Sequence, residues 1–209
     1  MRKIGILGGS FDPIHKGHLN IAESARREFE LDNVWFIPAG HSPNKDEQGM
    51  TPAVQRCRMV ELALADYPYF KCSKIEVEAE NTSYTYLTLT KLKERYPDTE
   101  LYFIMGADSL DYLEKWKHPE IICEKAVILT AVRDDMDIAQ ICEKTAWLKK
   151  FFSAQIYPIR EGRTGISSTE LREQIKAGVL DPDMLPSQTA DYIRKHHLYG
   201  YQNKRQTIS

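Results

Sequence analysis

The residues best suited to chemistry lie near the start of the chain, in the stretch "ILGGSFDPIHKGH". Gly8 and Gly9 end an apolar, strand-like run, and because they lack side chains their backbone N–H groups can come close to a ligand. His15 and His18 are three residues apart, so a helix that begins near Ile14 would carry both imidazoles on one side of its first turn. A helix N-terminus also offers N–H donors and a partial positive charge, which favour a bound anion. The spacing therefore predicts an anion site in which both histidines donate to phosphate oxygens.

Two other interpretations of this stretch stay open on the residues alone. A zinc site would need neutral imidazole nitrogens and two further ligands, and no neighbouring Cys or His supplies them. A structural turn whose histidines only cap the helix would need no ligand. The stretch matches neither G-x-G-x-x-G nor G-x-x-x-x-G-K-S/T, so it predicts a phosphate site of different geometry, without a protein-bound metal.

A second candidate site lies towards the C-terminus, in "GISSTELR". Ser167, Ser168 and Thr169 stand at the start of a predicted helix, where hydroxyl and backbone N–H groups could hold phosphate, and Arg172 follows. Taken alone, the segment is equally well a capped helix with an exposed arginine. Its presence in one chain with the glycine–histidine motif favours phosphate binding by both.

Strand-like runs alternate with helical patterns along the chain. The runs are "KIGIL", "VWFIP", "KIEVEAE", "ELYFIMG", "AVILT" and "AQIYPI". This alternation is typical of an α/β fold with a doubly wound parallel sheet. Asp108 follows Gly106 at the end of one run, at the edge where open α/β sheets bind ligands, although it could equally cap the next helix.

The helices expected to cover this sheet carry apolar residues at helical spacing. Three such faces consist of Ile21, Ala22, Ala25 and Phe29; of Met59, Leu62 and Ala63; and of Leu87, Leu92 and Tyr96. "ISSTELREQIKAG" predicts a helix that stops at Gly178, and a shorter helix begins near "PSQTADYIRKHH". We expect one domain over residues 1–200, with a small C-terminal helical part over 165–200 and a flexible tail over 201–209.

Composition and charge exclude several classes of protein. With 209 residues, 42% of them hydrophobic and 28% charged, the chain can bury one sizeable core. Its 28 Lys and Arg nearly balance 30 Asp and Glu, so the net charge of -2 gives no overall attraction to nucleic acid or an anionic membrane. No apolar stretch approaches the roughly 18 residues of a membrane span, and none resembles a signal peptide, which predicts a cytoplasmic protein. The scattered cysteines are expected to be reduced core thiols: Cys57, Cys72, Cys123 and Cys142.

Both motifs resemble those of a known family. "GGSFDPIHKGH" is similar to the G-G-S/T-F-D-P-x-H-x-G-H motif of bacterial nicotinate-nucleotide adenylyltransferases, and "ISSTELR" resembles the I-S-S-T-x-I/L-R motif that closes their nucleotide site. These enzymes are nucleotidylyltransferases, which share the shorter H-x-G-H signature more widely. The resemblance runs from residue 1 to about residue 200 and implies a Rossmann-like fold.

The resemblance implies transfer of the adenylyl group of ATP to nicotinate mononucleotide, which forms deamido-NAD and pyrophosphate in NAD biosynthesis. The attacking phosphate is largely ionised at neutral pH, since its second pKa is about 6, so no general base is needed. Mg²⁺ bound mainly through the ATP phosphates would supply positive charge. The implied ATP site comprises Gly8, Gly9, Ser10, Phe11, His18, Gly106, Asp108, Ile166, Ser167, Ser168 and Arg172. The implied catalytic residues, which stabilise charge in a direct in-line attack without a covalent intermediate, are His15, His18, Lys45 and Arg172.

The acceptor would be recognised by residues between the two motifs. "NTSYTYLTL" and "FIMGADSLDYLEKWK" resemble an S-Y-T segment and a G-x-D segment of the family. They imply that Thr85 holds the nicotinate carboxylate and that Trp116 stacks on the pyridine ring. A half-buried core aromatic is the other interpretation of Trp116. His15, Lys45 and Arg133 would complete the acceptor site.

The sequence departs from the family pattern beside the two other cationic residues, Lys45 and Arg133. No histidine precedes Lys45 in "SPNK", and Asp134 and Asp135 replace Pro-Gly after Arg133. Arg56 also matches a family position, where a structural ion pair is the expected role.

Alternatives to this function are compatible with the same fold. The acceptor could be nicotinamide mononucleotide or phosphopantetheine, the transferred group could be cytidylyl, or the chain could bind nucleotides without catalysis. The basic segments "RKHH" and "NKR" are the only support for a non-catalytic module, and a solvated terminus explains them as well. The expected partners are ATP and nicotinate mononucleotide, not nucleic acid or membrane, and the sequence leaves a homo-oligomer open.

Overall fold

The computed structural model describes residues 1–40, 49–79, 82–131, 138–160 and 165–202. Six strands within these ranges form one sheet, and every pairing between them is parallel. The strands are β1 (Arg2–Gly9), β2 (Asn33–Pro38), β3 (Phe70–Cys72), β4 (Thr99–Gly106), β5 (Val127–Ala131) and β6 (Ile156–Ile159). Their order across the sheet is β3-β2-β1-β4-β5-β6.

At least one helix separates each pair of consecutive strands, as crossover connections in a parallel sheet require. In the described ranges the α-helices are α1 (Lys16–Glu28), α2 (Ala53–Ala63), α3 (Thr85–Arg95), α4 (Ala107–Leu110), α5 (Pro119–Lys125), α6 (Ile138–Phe152), α7 (Ser168–Lys176) and α8 (Ser187–His196). Two short 3-10 helices span Leu113–Lys115 and Leu198–Gly200.

Both faces of the sheet are buried, which explains why its strands are nearly continuous apolar runs. In β4, Leu101, Phe103 and Met105 pack into one core cluster, whereas Tyr102 and Ile104 point the other way and pack into a second. Residues of α3 to α6 join the first cluster, and residues of α1, α2, α7 and α8 join the second. The helices therefore cover the sheet from both sides.

The strand order reverses its direction between β1 and β4. The chain moves from β1 through β2 to β3 on one side, then returns to β4 and continues to β6 on the other. Beyond the carboxyl ends of two central strands at such a reversal, an open sheet forms a crevice for ligands. Gly8 and Gly9 end β1 and Gly106 ends β4, so three of the predicted site residues stand at this crevice. The predicted doubly wound, Rossmann-like α/β fold is confirmed.

The strand predicted at "KIEVEAE" is wrong. Strand β3 is the earlier segment Phe70–Cys72, and residues 75–78 form turns. Apolar and charged residues alternate in the predicted segment as in a half-buried strand. The N–H of Glu78 instead donates to the carbonyl of Lys74 at 2.9 Å and closes a turn. Phe70 takes the buried strand position, with its ring centroid 5.3 Å from that of Phe36.

Helix boundaries follow the local sequence signals. Helix α1 begins at Lys16, directly after His15, and α7 begins after Ser167, whose Oγ accepts from the N–H of Thr169 at 3.3 Å. Gly178 follows the end of α7 with a φ of +84°, which glycine adopts without strain. The two C-terminal helices that the sequence predicts are therefore present.

All four cysteines are free. Cys57 and Cys123 are buried and Cys72 is half-buried, but Cys142 is exposed, so the predicted core position is wrong for Cys142. Among the residues that the structure describes, no helix has both the length and the apolar character needed to cross a membrane.

Candidate active site

Two cavities open at the carboxyl edge of the sheet. The histidine cavity, of about 420 Å³, is lined by His15, His18 and the start of α7. The aromatic cavity, of about 910 Å³, is lined by Tyr84, Tyr112 and the start of α3. The residues that line both are Gly8, Gly9, Ser10, Phe103, Asp108, Ser109 and Trp116. A ligand in one cavity can therefore contact a ligand in the other at the end of β1.

His15 and His18 stack on each other at the wall of the histidine cavity. Their ring centroids are 3.7 Å apart and their planes are inclined by 28°. The backbone N–H of His15 donates to Nδ1 of His18 at 3.2 Å, so in the neutral ring the proton lies on Nε2. The start of α1 thereby sets both the orientation and the tautomer of the His18 ring, which lines the histidine cavity.

Phe11 packs against the ring of His18. Its side chain is buried, and its ring lies edge-to-face with that of His18 at 5.0 Å and 5.7 Å from that of Phe36. Its φ of +50° turns the chain between β1 and α1. The side chain of Phe11 therefore belongs to the core, and Phe11 lines neither cavity.

Two hydrogen bonds join the two sequence motifs. Oγ of Ser168 donates to the carbonyl of Pro13 at 3.2 Å, and Arg172 donates to the carbonyl of Asp12 at 2.8 Å. These partners are 155 and 160 residues apart in the chain. The start of α7 and the glycine–histidine motif thus face the same cavity.

A buried arginine holds the β1–α1 loop, which comprises residues 10–15. The guanidinium of Arg56 donates to the carbonyls of Ser10 at 2.6 Å, Ala39 at 2.7 Å and Thr51 at 2.9 Å. Only 2% of Arg56 is exposed. These bonds tie the segments after β1 and β2 to the residues before α2. The walls of both cavities therefore depend on Arg56.

The aromatic cavity combines a flat ring surface with positive charge. Thr85 is the first residue of α3, where backbone N–H groups have no partner within the helix. The ring of Trp116 lies 6.2 Å from that of Phe103 at an angle of 73°. The ammonium of Lys117 lies 4.6 Å from the centre of the Tyr84 ring, beside the start of α3. The cavity can accept a planar ring against Trp116 and an anion near Thr85.

A network around Glu76 forms one wall of the aromatic cavity. Oγ1 of Thr88 donates to the carboxylate of Glu76 at 2.7 Å, and burial raises the pKa of Glu76 above its usual value. The N–H of Gly40 donates to Oγ of Ser83 at 3.1 Å, and a Cβ on Gly40 would lie 2.2 Å from the carbonyl oxygen of Glu76. The wall is therefore closely packed, and Glu76 is neutral more readily than a surface glutamate.

Most of the predicted site residues line one of the two cavities. Those on the histidine cavity are Gly8, Gly9, Ser10, His15, His18, Gly106, Asp108, Trp116, Ile166, Ser167, Ser168 and Arg172. Thr85 and Trp116 line the aromatic cavity, whereas Lys45 and Arg133 lie outside the described residues. The lining also includes residues that the sequence did not single out: Glu76, Ser83, Tyr112, Lys115 and Lys117. In the sequence, the two lysines that flank the tryptophan in "EKWK" could have indicated that an anionic ligand binds there.

The side chains at the site determine how a metal ion could be bound there. In the part of the chain that the structure describes, no group of three or more His, Cys, Asp or Glu side chains could hold one. Asp108 places one carboxylate on both cavities. Mg²⁺ at nucleotide sites is held by phosphate oxygens and water with one or two carboxylates. The residues therefore fit a Mg²⁺ ion that is bound mainly by a nucleotide.

This chain is similar to known proteins in both sequence and fold. Residues 6–174 match the family model described as cytidylyltransferase-like. A probable nicotinate-nucleotide adenylyltransferase of Lachnoclostridium phytofermentans is 42% identical over 95% of this chain and 100% of its own length, and one of Clostridium tetani is 37% identical over 95% and 100%. The solved structure of Plasmodium falciparum nicotinic acid mononucleotide adenylyltransferase complexed with NaAD superposes with a TM-score of 0.76 at 22% identity, over 97% of this chain and 99% of that one.

Replacing Arg56 with Met should loosen both cavities and destabilise the fold. The change removes the donor that three half-buried carbonyls share, at a cost of about 3 kcal/mol. We expect the midpoint of thermal unfolding, measured by calorimetry, to fall by roughly 6 to 12 °C. Arg58→Met in the same helix is the matched control, because Arg58 is exposed and pairs with Glu61 at 3.3 Å. Equal midpoints for the two variants would contradict the role given to Arg56.

Proposed function

The chain belongs to the nicotinate-nucleotide adenylyltransferases, within the cytidylyltransferase-like family, and from that membership we propose how its two cavities divide the reaction. The enzyme transfers the adenylyl group of ATP to nicotinate mononucleotide, which yields deamido-NAD and pyrophosphate for NAD synthesis. ATP occupies the histidine cavity, and nicotinate mononucleotide occupies the aromatic cavity. The observation that carries this division is the wall that both cavities share at Gly8, Gly9 and Ser10, where the two phosphates can meet.

The histidine cavity suits the triphosphate of ATP. The starts of α1 and α7 both border it, so two helix N-termini add partial positive charge. His18 offers its Nε2–H, and Ser168 and Arg172 border the same space. Asp108, in α4 directly after β4, faces the ribose or the adenine of the nucleotide. Lys45 is a further predicted cation for the phosphates.

The aromatic cavity suits nicotinate mononucleotide. The pyridine ring stacks on Trp116, where an electron-poor ring on an indole gains about 1 kcal/mol beyond its burial. The carboxylate of the ring binds the backbone N–H and hydroxyl groups of Thr85 at the start of α3. Lys117 adds a positive charge beside that position. Arg133 is a predicted contact of the acceptor as well.

The chemistry is one displacement at phosphorus. An oxygen of the mononucleotide phosphate forms a bond to the α-phosphorus of ATP. The bond from that phosphorus to the oxygen that joins the α- and β-phosphorus atoms breaks. The electron pair of the broken bond leaves with pyrophosphate. Since the attacking phosphate is already ionised near neutral pH, no residue needs to remove a proton. The protein aligns the two phosphates and stabilises charge on the oxygens between them.

His15 and His18 stabilise this charge as hydrogen-bond donors. The capping bond from His15 fixes the orientation of His18, so the donor is in place before the reaction begins. Arg172 is equally fixed, because it donates to Asp12 and to Oγ1 of Thr169 at 3.2 Å. Asp108 could contribute a carboxylate to a Mg²⁺ ion that the ATP phosphates would hold, and such an ion would supply positive charge to the leaving pyrophosphate.

Pyrophosphate release from ATP, measured with several acceptors in parallel, tests this function. The acceptors are nicotinate mononucleotide, nicotinamide mononucleotide and phosphopantetheine, with CTP in place of ATP as a further arm. We expect the highest kcat/KM with ATP and nicotinate mononucleotide. A higher value with another acceptor, or with CTP, would replace the assigned substrates. No release in any arm would leave a nucleotide-binding module without activity.

His18→Ala should remove most of the turnover and little of the ATP affinity. Loss of one positioned donor to a developing charge lowers kcat by about a hundredfold to a thousandfold. We expect the Kd for ATP, measured by calorimetry, to rise less than fivefold. His196→Ala is the control, because His196 is exposed on α8. Near-normal turnover of the His18 variant would exclude it from the catalytic residues.

Lys117→Met should reduce the preference for the acid acceptor over the amide. The cation attracts the carboxylate of nicotinate mononucleotide and has no such attraction for the neutral amide. We expect the ratio of kcat/KM values for the two acceptors to fall about twofold to fivefold. Lys149→Met is the matched control, since Lys149 also lies over a tyrosine ring, 5.6 Å from the centre of Tyr157, but on α6. An unchanged ratio in the Lys117 variant would show that the cation does not select the acid.

A further inference from the structure

The C-terminal end of the described chain contacts the β1–α1 loop. The hydroxyl of Tyr199, in the 3-10 helix Leu198–Gly200, donates to Oδ1 of Asp12 at 2.7 Å. Tyr201, which the sequence assigned to a flexible tail, is buried in the core cluster on the same face of the sheet. The last described residues therefore pack on the body of the protein beside the glycine–histidine motif.

Asp12 connects three distant parts of the chain. Its carbonyl accepts from Arg172 at 2.8 Å, its Oδ2 accepts from the N–H of Thr51 at 3.3 Å, and its Oδ1 accepts from Tyr199. Only 5% of Asp12 is exposed. A buried carboxylate needs such donors, because each one offsets part of the cost of removing the charge from water. The position of Asp12 is therefore set by all three contacts.

The hydroxyl of Tyr199 is suited to a permanent donor role. Burial, and then the neighbouring charge of Asp12, raise the pKa of Tyr199 well above its usual value, so the hydroxyl keeps its proton at physiological pH. A hydrogen bond from a neutral hydroxyl to a carboxylate is stronger than one between neutral groups. The contact is thus one of the stronger tethers on the β1–α1 loop.

The backbone around Tyr199 is held in an unfavourable conformation. The φ angles of His197 and Tyr199 are +49° and +59°, in the left-handed region that residues other than glycine rarely adopt. Each such residue has an energetic cost and persists where the surrounding structure enforces it. Here the strained turn carries the Tyr199 ring to Asp12.

We propose that Tyr199 is a positioning residue for ATP, which acts through Asp12 on the β1–α1 loop and on Arg172. This inference rests on the proposed function, because it takes the histidine cavity as the ATP site. Tyr199 holds the carboxylate of Asp12, and the carbonyl of the same residue orients Arg172. Loss of the hydroxyl leaves Asp12 with one donor fewer, so the loop near Asp12 and the arginine are held less tightly, while Arg56 still holds the loop at Ser10.

The test is a double-mutant cycle with Tyr199→Phe and Asp12→Asn, with Tyr192→Phe on α8 as the matched control. The first readout is binding of a non-hydrolysable ATP analogue without acceptor, measured by calorimetry. The others are the KM values for ATP and for nicotinate mononucleotide. We expect Tyr199→Phe to weaken analogue binding and raise the KM for ATP about fivefold, with less than a twofold change for nicotinate mononucleotide.

The cycle distinguishes action through Asp12 from a general loss of stability. In the Asp12→Asn background, Tyr199→Phe should change ATP binding less than twofold further, since the coupled partner is already altered. Fully additive effects, or a lower unfolding midpoint with unchanged ATP binding, would overturn the inference. If Asp12→Asn does not fold, Tyr199→Phe against Tyr192→Phe decides alone. Failure of the wild type to bind the analogue would overturn the proposed function as well, whereas equal binding by wild type and Tyr199→Phe overturns only the inference.

Discussion

The guanidinium of Arg56 is the contact on which the rest of the site depends. It is buried, and it donates to the carbonyls of Ser10, Ala39 and Thr51, which follow β1, follow β2 and precede α2. A buried cation is stable only when its donors are satisfied, so these three segments must stay together. The β1–α1 loop is thereby a fixed part of the fold. Asp12 adds a second tether to the same loop from its other side.

The topology determines what this fixed loop can do. Because the strand order reverses between β1 and β4, a crevice opens on both sides of the glycines that end β1. One side becomes the histidine cavity and the other the aromatic cavity, with the loop as their common wall. Under the proposed function, ATP in one cavity and nicotinate mononucleotide in the other meet at this common wall. In the proposed reaction, the protein contributes mainly by positioning the two phosphates and stabilising charge, and not by acid–base chemistry.

The sequence predicted what depends on local residue spacing and missed what depends on long-range packing. The end of β1, the start of α1 and the cap of α7 were all predicted, because glycine, histidine and serine act within a few residues. Glu76 was assigned to a strand, since alternation of apolar and charged residues does not reveal the turns that bring its side chain to a cavity wall. No local pattern in the sequence indicates the role of Tyr199, because its hydrogen-bond partner Asp12 lies 187 residues away in the chain. The predicted roles of Lys45 and Arg133 stay predictions, as both lie outside the described residues.

The central claim is that the two phosphates react directly across the wall that the cavities share. The stereochemical course at phosphorus tests it most directly, with an ATP analogue that carries sulfur on the α-phosphorus in a single configuration. A single in-line displacement by nicotinate mononucleotide inverts the configuration, and we expect the dinucleotide product to be fully inverted. Retention would require two successive displacements and therefore a covalent adenylyl-enzyme, which would contradict the direct reaction.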